Sequence, residues 1–170
     1  MKWLGMCMVF LGCMGLGIWY SALYTRRFKN LVSCRKAVLI IRGEIAYGRT
    51  PLPQAFFQAA GRVRGAVKEF FLLVADRMEE GGARLEKIWS QALQETISDR
   101  EMRKEDIREL RELGDTLGYL DAQMQLQILD LYLNRLEQSM KEYEAEKKSR
   151  ARLYPVLGTM CGMLICIIIL

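Results

Sequence analysis

Two uncharged runs occupy the ends of the chain, and a charged, periodic middle lies between them. Apolar residues at Leu31, Cys34, Val38, Ile41 and Ile45 fall in alternating steps of three and four, which is one face of an α-helix. Gly48 follows, placed to take the left-handed conformation that closes a helix. Thr50 is then a cap for a second helix, with Pro51 at its first position, where a missing N–H costs nothing. Pro53 is still inside the first turn and is tolerated there. Glu44 to Phe56 therefore predicts a helix end, a tight corner and a helix start.

Further on, the same pattern predicts a helix over about Ala66–Glu80 that buries Val67, Phe70, Phe71, Val74 and Met78. Gly61 and Gly65 bracket the turn before it, and Gly81-Gly82 ends it. A helix over about Arg84–Thr96 places Leu85, Ile88, Trp89 and Ala92 on one side. Another, over about Arg100–Leu113, turns Ile107, Leu110 and Leu113 inward and stops at Gly114. Asp121 is the natural N-cap of a long last helix, about Ala122–Arg152. Along it Leu126, Leu129, Leu133, Leu136, Met140 and Tyr143 repeat at heptad spacing. Few β-branched residues alternate with period two. The expected fold class is all-α: a compact bundle of about six helices.

The ends change the picture. Trp3–Tyr24 is a run of 22 residues without charge, and a spanning helix needs about 20. Trp3, Trp19, Tyr20 and Tyr24 lie near its ends, as interfacial aromatics do. Trp19-Tyr-Ser-Ala-Leu-Tyr24 is a poor signal-peptidase site. Leu11-Gly12-Cys13 resembles a lipoprotein site but is followed by eleven more uncharged residues. Leu153–Leu170 is a second uncharged run of 18 residues. The expected organisation is a transmembrane helix over 3–24, a helical bundle over 25–152 and a second transmembrane helix over 153–170.

Charge orients this arrangement. Arg26, Arg27, Lys29, Arg35 and Lys36 follow the first run, and Lys147, Lys148, Arg150 and Arg152 precede the second. Excess Lys and Arg mark the cytoplasmic side, so the bundle is expected in the cytoplasm with both termini across the cell membrane. The first acidic residue is Glu44, so the segment nearest the membrane is purely basic and suited to anionic lipid headgroups.

Candidate chemistry is sparse. The chain has five cysteines and no histidine, which excludes histidine acid–base chemistry and argues against a zinc site. No phosphate loop, GxSxG turn or paired-histidine motif is present. Carboxylates mostly sit beside Arg or Lys at helical spacing, as in Arg108-Glu-Leu-Arg-Glu112, and form a solvated face. Glu44 stands apart, next to the apolar stripe at the corner, as a partner for Arg42 or Arg49 or as a docking residue. The net charge of +5 raises nucleic-acid binding through Arg62, Arg64 and Lys68 beside Phe70 and Phe71. However, most of the excess lies against the expected membrane, and the phenylalanines fit a core stripe. The reading that remains is a non-enzymatic interaction protein without cofactors. The alternative is a membrane-tethered binder of nucleic acid or anionic lipid.

Two motifs carry a resemblance: Glu44-Ile-x-Tyr-Gly-x-Thr-Pro-Leu-x-x-Ala55 and Leu113-Gly-x-x-Leu-Gly-x-x-Asp-x-x-x-Gln125. With the two apolar ends, they resemble the stage III sporulation protein AB family of endospore-forming bacteria. The first motif is also similar to a turn in type II secretion F inner-membrane platform proteins. Gln54 stands where the family more often has an acid. The resemblance implies a platform or adaptor in the mother-cell membrane, within a secretion-like channel complex facing the forespore. It also implies partners among the other stage III proteins, including a cytoplasmic secretion-type ATPase. The expected contact residues are Glu44, Tyr47, Gly48, Thr50, Pro51 and Leu52, and homo-oligomerisation is a further expectation.

Overall fold

The computed structural model describes residues 2–48, 50–118 and 121–169, with side chains described for 22–48, 50–118 and 121–146. Every regular element among them is helical. The order is α1 (Lys2–Gly43), a π-helical turn (Glu44–Gly48), α2 (Leu52–Gly61), α3 (Ala66–Glu80), α4 (Leu85–Thr96), α5 (Lys104–Leu117) and α6 (Ala122–Ile169). The side chains of nearly all of the expected spans, 3–24 and 153–170, lie outside the described residues. Among the described residues no helix is long and apolar enough to cross a membrane. The chain divides into two compact units, Met1–Leu136 and Glu137–Leu170. The second is the continuation of α6, where Glu137 and Lys141 pair at 3.6 Å one turn apart.

In the first unit, the predicted stripe of α1 is the buried one: Leu31, Cys34, Val38, Ile41 and Ile45 are all in the core. The short connection after the π-helical turn sends α2 back along α1. At its far end Gly65 takes φ +71°, and an added Cβ there would meet Asn30 Oδ1 at 3.3 Å. The start of α3 is therefore level with Asn30, in the later part of α1, and α3 runs parallel to α1. It packs on α2, α4 packs on α3, and α5 on α4. Gly81 and Gly82, both at positive φ, end α3 as the sequence predicts.

The core centres on Trp89. Its ring meets Phe70 at 4.8 Å, Phe56 at 5.6 Å and Phe71 at 5.9 Å, all edge-on, and its indole N–H donates to the Leu110 carbonyl at 2.8 Å. Each of these rings stabilises the fold by about 1.5–3 kcal/mol through burial, and edge-on pairing adds to that. Full burial of Phe70 and Phe71 removes them as stacking surfaces for bases, while Arg62, Arg64 and Lys68 stay exposed.

Helix α5 corrects the sequence reading. It spans 104–117, four residues later than expected, because Ser98–Met102 forms a turn of its own: the Glu101 and Met102 N–H groups both donate to the Ser98 carbonyl. Ile107 is consequently half-buried, while Asp106, Leu110, Leu113, Gly114 and Leu117 face in. Gly114 does not end the helix but lies inside it. Gly118 is the C-cap, with φ −73°. Asp121 caps α6 as predicted, its Oδ1 accepting from the Met124 N–H at 2.8 Å. From the next turn, the Gln125 side-chain amide donates to the Leu117 carbonyl at 3.0 Å, satisfying an end carbonyl of α5.

Candidate functional site

At the end of α1, the register widens by one residue into the π-helical turn Glu44–Gly48, a local feature frequent at functional sites. Ile45 keeps its place in the core, and two residues on Tyr47 is thrown outward at 88 % exposure. No other large apolar side chain among the described residues is as bare; the next is Phe57 of α2, at 57 %. Leaving an aromatic ring in water forgoes the free energy its burial would supply.

The turn is held by its own side chains. The Thr50 hydroxyl donates to Glu44 Oε2 at 2.7 Å, and the Thr50 N–H reaches the Glu44 carbonyl at 3.4 Å. This corrects two expectations. Thr50 does not cap α2; Pro51 stands at the N-cap, and its carbonyl accepts from the Ala55 N–H at 3.0 Å. Gly48 is not left-handed. An added Cβ there would meet Thr50 Oγ1 at 2.6 Å and Glu44 Oε2 at 3.0 Å. Glycine at 48 thus leaves room for the Glu44–Thr50 clasp.

Nor is Arg42 the partner of Glu44, and Arg49 lies outside the described residues. Arg42 donates to both carboxylate oxygens of Asp130, through Nε at 2.5 Å and Nη2 at 3.1 Å. This two-pronged pair fastens α6 to α1 one turn before the corner, and the sequence contained no signal for it. Of the six predicted contact residues, Tyr47, Gly48 and Pro51 are exposed and Glu44, Thr50 and Leu52 are half-buried. All six lie in the π-helical turn, the short connection and the first residue of α2.

Elsewhere the buried polar groups serve the fold. The Cys34 sulfur and the Tyr132 hydroxyl are 3.4 Å apart and link α1 to α6 in the core. Burial pushes the thiol up to about 12, against the lowering effect of the Tyr132 hydrogen bond, and burial raises the phenol as well. Neither is a nucleophile near neutral pH. Among the described residues, no three His, Cys, Asp or Glu side chains are grouped as a metal site.

The family model described as stage III sporulation protein AB matches residues 2–170. The stage III sporulation protein AB of Bacillus subtilis (strain 168) is 26 % identical over 170 residues, covering 100 % of this chain and 99 % of that protein. A solved structure of stage III sporulation protein AB superposes with a TM-score of 0.65 at 28 % identity, covering 73 % of this chain and 98 % of that one. The relatives are named as sporulation proteins and not as enzymes. The chain belongs to the stage III sporulation protein AB family, and its role is in sporulation.

Proposed function

We propose that this protein is a membrane-held adaptor that docks a partner through the Glu44–Leu52 corner. The observation that carries this reading is Tyr47, bare at 88 % on a turn that Glu44 and Thr50 hold in one shape. A preorganised turn loses little conformational entropy on binding, and a central tyrosine is the kind of residue on which interface energy concentrates. The uncharged runs at 3–24 and 153–170 would hold the bundle at the mother-cell membrane with its basic flanks in the cytoplasm. Two anchors keep the corner at high effective concentration near other membrane-bound components. The partner this reading names is the cytoplasmic secretion-type ATPase of the sporulation complex, coupled in this way to the channel.

The test is titration of that ATPase against the full-length chain in detergent, beside Tyr47→Ala. The exposed ring contributes little to the fold, so the variant should melt with the parent. Its affinity should fall by about 2 kcal/mol, some thirtyfold. Equal binding by parent and variant, or none by an intact parent, sinks the docking role.

A further inference from the structure

Two of the basic residues after the first uncharged run have partners inside the bundle. Arg26 pairs with Glu101 at 3.4 Å, and Arg27 donates through Nε to the Asp99 carbonyl at 3.1 Å. Lys29, Arg35 and Lys36 are different: they are exposed and have no ion-pair partner among the described residues. On the outer face of α1, Lys29, Val32, Lys36 and Leu39 follow one another in steps of three, four and three. Val32 is 41 % and Leu39 42 % exposed. From Lys2 to Gly43 the helix holds no acidic residue. The result is a basic stripe with two uncovered apolar side chains set into it.

The outer face of α3 carries the complement at the same spacing. Glu69, Leu72, Asp76 and Glu79 follow in steps of three, four and three, with Leu73 and Glu80 beside them. The four acids are exposed without an ion-pair partner among the described residues, and both leucines are half-buried. The neighbouring Arg77 is committed to Glu95 of α4 at 2.8 Å, and Lys68 stands to one side of the stripe. Because α3 runs parallel to α1 with Gly65 beside Asn30, the two stripes overlap in height along the bundle. Their offset is about five residues, roughly 7 Å at 1.5 Å per residue.

We infer that the basic face of α1 in one copy takes the acidic face of α3 in a second copy, side by side. Charge decides the pairing. Basic against basic and acidic against acidic both repel, so a twofold contact through either face is disfavoured, and the contact is head-to-tail. Such a contact leaves one stripe free at each end. It therefore grows into a ring where the rotation closes and into an open row where it does not. The Glu44–Leu52 corner takes no part in it and stays free.

Sedimentation of the full-length chain in detergent at low salt tests this, with Lys36→Glu, Asp76→Lys and both together. Both sites are exposed, so the three variants should fold. The parent should associate, and each single reversal should weaken association by about tenfold or more, since it sets like charges against each other. The double reversal should restore it. An equimolar mixture of the two single variants offers the parental pair and the reversed pair at alternating contacts, so it should associate where each variant alone does not. A parent that stays monomeric overturns the inference. So does association that ignores the reversals, a double variant as weak as the singles, or a mixture as weak as the single variants alone. Binding at the Tyr47 corner is measured separately and can fail without affecting this result.

Discussion

Gly48 and Gly114 stand in the two motifs of this chain, and they occupy opposite environments. Gly48 is exposed at the end of a π-helical turn, one residue after a tyrosine in open water. Gly114 is buried in the last turn of α5, where an added Cβ would lie 2.2 Å from Trp89 Cγ and Cδ1. At the first site, the missing side chain leaves room for a hydroxyl–carboxylate bond that shapes a surface. At the second, it lets a helix approach an indole closely enough for the ring N–H to reach the Leu110 carbonyl. Neither site uses a left-handed backbone. A glycine in a family motif is thus no evidence of a turn until its surroundings are known, and its burial decides whether it serves the fold or the surface.

The sharpest way to break this comparison is to put alanine at both positions. Gly114→Ala drives a methyl group into a ring fixed by three phenylalanines and a hydrogen bond. Overpacking of this kind should cost about 3 kcal/mol or more, read as a lowered urea midpoint or failure to fold. An unchanged midpoint would mean that the α4–α5 contact is looser than described. Gly48→Ala meets only the ends of two flexible side chains. Its cost to the fold should stay near 1 kcal/mol, because the bond lost is a single half-exposed one. Its partner binding should nonetheless fall, since the turn loses its clasp. Equal destabilisation by the two substitutions would erase the distinction between the sites.

How far the sequence could foretell these roles follows from where the information lies. The α1 stripe, the ends of α3 and the cap at Asp121 were legible because each is local: a spacing, a glycine pair or one side chain beside its own backbone. The start of α5 was missed because Arg100–Arg103 has helical composition. The Ser98 turn and the burial of Met102 hold it out of the helix. Gly114 was misread because the deciding atom belongs to Trp89, twenty-five residues away in the chain. The corner itself was found, but its internal bond and the exposure of Tyr47 depend on a π-helical register that periodicity does not announce. Arg42–Asp130 and Gln125–Leu117 are long-range or cross-corner pairings of residues that look like ordinary surface positions.

A smaller effect sharpens the comparison through two carboxylates. Glu44 in the first corner accepts a hydrogen bond from Thr50. Glu109, about one turn before Gly114, has Oε2 buried without a hydrogen-bond partner among the described residues. Burial raises the Glu109 carboxyl above its ordinary value; Arg135 opposes this, while Asp106 and Glu112 reinforce it. A raised carboxyl means that the folded chain holds this proton more tightly than the unfolded chain does. Its contribution is fully present below the ordinary carboxylate range and is lost as pH rises through the folded value. Glu109→Gln removes that loss. The variant should match the parent near pH 4 and exceed it near pH 7 by about 0.5 kcal/mol, a small figure because the group is partly open to solvent. Urea midpoints at the two pH values read the difference directly. A gap at neither pH would place Glu109 with Glu44 among the satisfied carboxylates.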